Sequence, residues 1–419
     1  MKFRALTVTV GTTVATLWRA VRHRRPPTRA LRPVLAGVVV VALALVALGD
    51  QPARGPARAV PPVTNRLLEP PVPAPGPHPA RGFTVIAAGD ILLHDGLWAQ
   101  ARRGDGYDFG PLFAHLRDDI RDADLAICHL ETPVGRPGGP FSGFPLFNVP
   151  PQVAGTLADV GYDTCSTASN HSLDQGEDGI DRTLDALDAA GVNHTGTARD
   201  KAEARRLNLL TVNGIVVAHL SYTFSFNGLS RPAGRHWRAN YLTRSATAVL
   251  AEARRARAAG ARFTIVSLHW GTEYQHDPDD FQRAVADRLL ASADVDLIVG
   301  HHAHVVQPLQ RLHGKWVAYG MGNEVAWQHQ AQDTRDGIMP VFTVTQTRPG
   351  EYRVTRVEVI PIHMWLDGGR AVALSVPACL GDKGLSAAVR RSCRASLRRT
   401  QPVLFRLGAR KAGLVVRTR

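Results

Sequence analysis

The chain has 419 residues and a formal net charge of +14, enough for one large core or two domains. Eight Lys and Arg residues lie in positions 1–33 and ten in 384–419, with no acid in either stretch. The middle of the chain is therefore net acidic, which excludes a nucleic-acid binder, whose basic footprint sits on the folded domain; basic ends beside an apolar segment suit anionic lipid instead.

In chain order, Arg19, Arg22, Arg24, Arg25, Arg29 and Arg32 precede an uninterrupted apolar run at 34–49. A membrane span needs about 20 apolar residues, with a lower limit near 17. The run is either a signal anchor at the cell membrane, with the Arg cluster held inside, or a signal peptide cut near Ala47-Leu48-Gly49. Both place everything after residue 50 outside the cytoplasm. Residues 50–80, about one-third proline, read as an extended, semi-rigid linker. From residue 83 the pattern alternates. Strands are expected over 83–88, 125–130, 163–168, 263–268 and 297–299, and helices over 109–120, 151–160, 179–190, 245–259 and 281–291. Residues 207–223 read as a hairpin turning at Asn213-Gly214. After 316–319 come two more strands, over 338–345 and 352–360. The pattern gives one α/β domain over 81–365. A basic tail follows over 366–419, either an amphipathic helix on anionic lipid or a solvated appendage. No cysteine pair forms a CxxC motif. Cys128 and Cys165 read as buried thiols; Cys379 and Cys393 are placed for a disulfide if the region is extracytoplasmic.

Polar residues fall at five strand ends: Asp90; Glu131; Asn170 with His171; His269; and His302 with His304. In an open α/β sheet, sites form beyond the carboxyl ends of the strands. Asp, Glu, Asn and His are the hard and borderline donors of a two-metal hydrolytic site. Each has a plainer alternative. Asp90 could cap a helix, His94 could be a loop residue, and Glu131 could make a surface salt bridge. Three imidazoles within His301-His302-Ala303-His304 could be an exposed turn. If the backbone stays extended there, His302 and His304 share one side and His301 takes the other. His171 beside a substrate oxygen suits a general acid. Asp174 either orients His171 or caps the helix that starts near 179. Glu273 could fix an imidazole. Trp270 and Tyr274 read as walls, and the tight turn ending at Asn323 closes one side of the pocket.

Taken together, Gly89-Asp90, Leu130-Glu131-Thr132, Ser169-Asn170-His171 with Asp174 and Gly176, His269-Trp270-Gly271 with Glu273-Tyr274, Gly300-His301-His302-Ala303-His304 and Gly322-Asn323 resemble the CapA family of poly-γ-glutamate capsule-synthesis proteins. That family belongs to the calcineurin-like metallophosphatase superfamily. The resemblance covers roughly residues 83–362. It implies a four-layer α/β/β/α sandwich preceded by an N-terminal anchor. It also implies two divalent metal ions (Mn, Zn, Fe or Ca) facing Asp90, Glu131, Asn170, His269, His302 and His304, with His171 as the catalytic histidine. The sequence departs from the pattern at Leu92, where the superfamily has His, at His129, where Asn is common, at Ala303 for Pro, and at Glu324 for an aromatic residue. The function expected is a metal-dependent hydrolase or transferase in capsule-polymer synthesis or export. The alternatives are a non-catalytic accessory subunit that binds an anionic polymer beside a membrane synthase, and a phosphoesterase or peptide-modifying enzyme.

Overall fold

The computed structural model describes residues 82–328 and 331–418. The segments 1–33, 34–49 and 50–80 lie outside the described residues. Among the described residues no helix is long and apolar enough to cross a membrane.

The strand Gly82–Leu92 runs through the centre of the larger sheet and is buried along nearly its whole length, which explains its continuous apolar sequence. It pairs in parallel with Leu125–Leu130 and antiparallel with Asp336–Arg348. The strand order is Arg370–Ser375, Glu351–Asp367, Asp336–Arg348, Gly82–Leu92, Leu125–Leu130, Thr164–Ser166, Asn193–Thr195. The smaller sheet runs Leu309–Leu312, Lys315–Ala318, Leu297–His301, Phe263–His269, Ile215–Thr223, Leu209–Val212. The last two strands form the hairpin expected at Asn213-Gly214, where both residues take positive φ.

Side-chain alternation divides the apolar residues into layers. Val85, Ala87, Leu125 and Ile127 meet Val217, Phe263, Ile265 and Leu297 between the two sheets. Ile86, Ala126 and Cys128 point the other way, under Val153, Leu157 and Val160 of the helix Gln152–Val160. Val266, Leu268 and Ile298 pack under the helices Thr247–Ala258 and Asp280–Ala291. The layers therefore run helix, sheet, sheet, helix.

Three expectations change. The helix expected over 109–120 is two short ones, Gly110–Phe113 and Arg117–Arg121, and His115 between them makes a bridge to Leu374 in place of a helical turn. Cys128 and Cys165 are not two thiols: they face each other in register on adjacent parallel strands and form a disulfide. The segment 366–419 is no appendage. It supplies the strand Arg370–Ser375, the helices Val376–Gly381 and Ala387–Leu404, and the strand Leu414–Val416 on Glu351–Asp367. Val403, Leu404, Ala409 and Leu414 join the core between the sheets, and Cys379–Cys393 is a disulfide. The inner face of the long helix thus packs on protein rather than on lipid. Its sequence hides this because Cys393, Ser396 and Thr400 fill inward positions.

Candidate metal centre

The polar strand ends converge at one end of the two sheets. Asp90 is fully buried near the end of its strand, where the pairing register slips. It accepts a hydrogen bond from the backbone N–H of His302 at 3.1 Å, and its oxygens lie 3.1 Å from His301 Nδ1 and 3.2 Å from His304 Nδ1. Burial alone would raise its pKa. The imidazoles of His301 and His304 outweigh that and hold the carboxyl well below the usual range.

Glu131 follows the strand Leu125–Leu130. Its Oε1 lies 3.9 Å from His269 Nε2 and 3.8 Å from His304 Nε2, too far for hydrogen bonds. Both carboxylate oxygens are buried with no hydrogen-bond partner among the described residues, and burial pushes the pKa well up.

His269 Nε2 lies 2.9 Å from Asn170 Oδ1, and its Nδ1 lies 2.9 Å from His129 Nε2. The chain leaves the strand Leu297–His301 with positive φ at His302 (86°) and His304 (55°). The expected alternation therefore fails: the turn brings His302 and His304 round to the cluster that His301, still in the strand and in register with His269, already faces. The His301 ring stacks on His129 with centroids 4.0 Å apart, while His302 packs against Phe224 and His269. His301 Nε2 and His302 Nδ1 are also buried without partners. Gly300 is required just before this turn, since a Cβ there would overlap the Tyr319 carbonyl and the Trp270 indole nitrogen.

Within this cluster, three sets of groups lie close enough to hold a cation, each with ligand atoms within 4.8 Å of one another: Asp90–His129–His301, Asp90–Glu131–His304 and Glu273–His302–His304. Buried polar atoms are almost always satisfied, and a buried carboxylate without donors is costly. The orphaned oxygens of Glu131 facing imidazole nitrogens are what a cation would satisfy, so the residues present fit a divalent metal.

Residues 84–328 match the family described as Bacterial capsule synthesis protein PGA_cap. The chain belongs to this family. It is similar to the PGA biosynthesis protein CapA of Bacillus subtilis, 28% identical over 205 residues that cover 48% of this chain and 52% of that protein. The capsule biosynthesis protein CapA of Bacillus anthracis is 27% identical over 174 residues, 40% and 41% of the two chains. A probable polyglutamine synthesis accessory protein of Mycobacterium tuberculosis is 27% identical over 264 residues, 58% and 66%. The chain thus spans about half the length of the first two curated relatives, or less. Among solved structures, the calcineurin-like phosphoesterase YfkN from Bacillus subtilis aligns with a TM-score of 0.43 at 13% identity, covering 77% of this chain and 99% of that one.

In this PGA_cap chain a cleft of about 530 Å3 opens onto the cluster, lined by Leu92, His94, Phe147, His171, Glu273 and His304 among others. Leu92 is one of its apolar walls. His94 Nδ1 bonds the Leu92 carbonyl oxygen at 3.0 Å, and burial lowers its pKa to about 4. His171 reaches the cleft with Nδ1 held 2.7 Å from Asp174 Oδ2. That oxygen also accepts from Phe147 N at 2.8 Å. Asp174 therefore orients His171; the helix Gly176–Ala190 has Gln175 at its N-cap and no side-chain cap. Asn323 places its Oδ1 3.0 Å from His304 Nδ1 while its amide donates to Thr334 O. Trp270 is a buried wall whose indole N–H donates to Tyr319 O. Glu273 is exposed at the cleft.

His129 is the cluster member that sequence reading passed over as a mere departure. Strand alternation carried the signal: His129 sits two residues before Glu131 in a buried strand and so shares its face.

Proposed function

We propose that this chain is a divalent-metal-dependent cell-surface enzyme, a hydrolase or transferase acting on a poly-γ-glutamate-type capsule polymer. The reading of the polymer rests on family membership and on the relatives named for PGA and capsule biosynthesis. The reading as an enzyme rests on one observation above the others: Glu131, buried, with both oxygens unpartnered among histidines. Asp90, Glu131, Asn170, His269, His302 and His304 would hold two cations, with His129 and His301 beside them. Mixed nitrogen and carboxylate donors suit Zn, Mn or Fe; Ca takes oxygen donors almost exclusively, which so histidine-rich a set does not offer. Bound there, such ions supply Lewis acidity toward a carbonyl or phosphoryl oxygen and lower the pKa of water.

The chain's own residues do the rest. Asp174 fixes the His171 ring through Nδ1, which leaves Nε2 for a proton delivered to the leaving atom. Leu92 and Phe147 form apolar walls of the cleft. An extracytoplasmic position is supported by two disulfides, Cys128–Cys165 and Cys379–Cys393, which persist in oxidising compartments. In this reading the apolar run at 34–49 is the membrane anchor and holds the domain near a polymer synthase.

The test is elemental analysis of the purified full chain beside Glu131→Gln. Near-stoichiometric Zn, Mn or Fe in the parent, lost in the variant, is the expected result. No metal in either after reconstitution would overturn the reading.

A further inference from the structure

We propose that the outer face of the helix Ala387–Leu404 is a docking ridge for a linear polycarboxylate, with Arg391, Arg394 and Arg398 as its anion contacts. The inference rests on the polymer reading above and adds where the polymer's charge is held.

The helix buries Cys393, Ser396, Thr400, Val403 and Leu404. Arg391, Arg394 and Arg398 are exposed. Spacings of three and four place them in one line on one face, with rises of about 4.5 and 6 Å along the axis. None of the three makes a hydrogen bond or ion pair among the described residues. Other arginines of the same segment are engaged: Arg390 donates to the Asp382 carbonyl, Arg399 to Asp336, Arg406 to Asp277 and Arg417 to Glu358. The contrast is informative. Arginines with a structural task have found carboxylates or carbonyls, while the outward row has none. Residues 384–419 contain no Asp or Glu to supply them. Like charges at these spacings repel weakly, a repulsion that a polyanion along the row would offset.

The chemistry favours carboxylates on a chain over a lipid surface. A helix that lies on a bilayer inserts an apolar face, and here that face is spent on the protein core and on the Cys379–Cys393 disulfide. Guanidinium groups bind carboxylates through paired N–H donors. The cleft cannot meet this need. Its lining holds the acids Asp95 and Glu273 and no Lys or Arg among the described residues, although a γ-linked glutamate polymer carries one carboxylate per residue. The ridge is also fastened to the rim of the cleft. Arg399, on the inner side of the same helix, lies 3.5 Å from Asp333 Oδ1. Asp333 Oδ2 lies 3.0 Å from His276, two residues from Tyr274 on the loop that lines the cleft. A polymer lying along the arginine row would be held by the element that supports that loop.

The test uses the full chain in neutral-lipid nanodiscs and labelled poly-γ-glutamate of defined length, with binding read by fluorescence anisotropy at low and high salt. The variants are the triple Arg391→Gln/Arg394→Gln/Arg398→Gln and the triple Lys at the same positions. We expect the Gln triple to bind at least tenfold more weakly, with a flatter salt dependence, and the Lys triple to keep most of the affinity. Metal content should match the parent in both, which separates failure of the ridge from failure of the metal centre. Gln-triple affinity within twofold of the parent overturns the proposal. So does a parent that does not bind the polymer. A Gln triple that loses only its binding to phosphatidylglycerol vesicles makes lipid the occupant and overturns it too.

Discussion

Asp90 and Glu131 both lie beside His304, yet their carboxyls are displaced in opposite directions. Asp90 overcomes burial because His301 and His304 bond it; Glu131 has no donor, so burial prevails. His304, between them, is also buried, and the carboxylates of Glu131 and Asp90 still raise its pKa to about 9, whereas burial lowers His302 to about 3. An arrangement so unbalanced by itself is what a bound cation would level. His171 stands apart from this set: its Nδ1 is committed to Asp174 and its ring leans on Phe147 with centroids 4.8 Å apart. Among the described residues it belongs to none of the groups that could hold a cation, so it should contribute a proton and not a metal ligand. His171→Ala should lower kcat on the polymer by about 10²- to 10⁴-fold, the usual worth of a positioned acid, with KM and metal content kept. Asp174→Asn should lose less, because an amide oxygen can still accept from Nδ1–H. Initial rates with parallel elemental analysis decide it: metal loss in His171→Ala would make His171 a ligand, and an unchanged rate would remove it from the mechanism.

At the scale of elements, the disulfide Cys379–Cys393 staples the helices Val376–Gly381 and Ala387–Leu404 across a sequence separation of 14. Closing a loop of this size constrains the unfolded chain by about 3 kcal/mol. A Cys379→Ala/Cys393→Ala variant should lose about that much in urea unfolding, with a slope equal to or steeper than the parent's because the unfolded chain is released. A loss under about 1 kcal/mol would mean that core contacts alone hold the helix. These helices also mark where sequence reading stopped. The strand ends were legible because each buried strand is an apolar run broken abruptly by Asp, Glu, Asn or His. Asp90, Glu131, Asn170, His269, His302 and His304 could thus be named before their distances were known. What escaped depends on neighbours far along the chain. The pairing of Cys128 with Cys165 follows from two strands lying side by side in register. The turn that brings His302 and His304 to the side His301 already faces follows from their positive φ, which no local propensity announces. The C-terminal helix shows small and polar residues to the core, so its inward face carries little apolar signal.

At the scale of the molecule, one buried carboxylate joins the C-terminal helix to the larger sheet. Asp336, 2% exposed at the start of its strand, accepts from Arg399 Nε at 2.7 Å and Nη2 at 3.0 Å and lies 2.8 Å from His363 Nδ1 on the neighbouring strand. Burial would raise its pKa, but His363 and Arg399 together hold it below the usual 3.8. A carboxyl whose folded pKa lies below its unfolded value stabilises the fold fully above the unfolded value, and that stability is lost as pH falls through the folded one. Removing Arg399 leaves Asp336 buried with His363 as its remaining side-chain partner. Arg399→Met should therefore destabilise the chain at pH 7 by up to about 3 kcal/mol, the low end for a broken buried pair, because the guanidinium is partly exposed. The deficit should shrink at pH 3, where Asp336 in the variant is protonated and no longer needs a cation. Asp336→Asn/Arg399→Met should show no such pH dependence of its own. Urea unfolding of the chelator-treated chain at both pH values keeps metal loss out of the comparison. A deficit equal at pH 7 and pH 3 would show that Arg399 acts through packing alone and that Asp336 is not the charge binding helix to sheet.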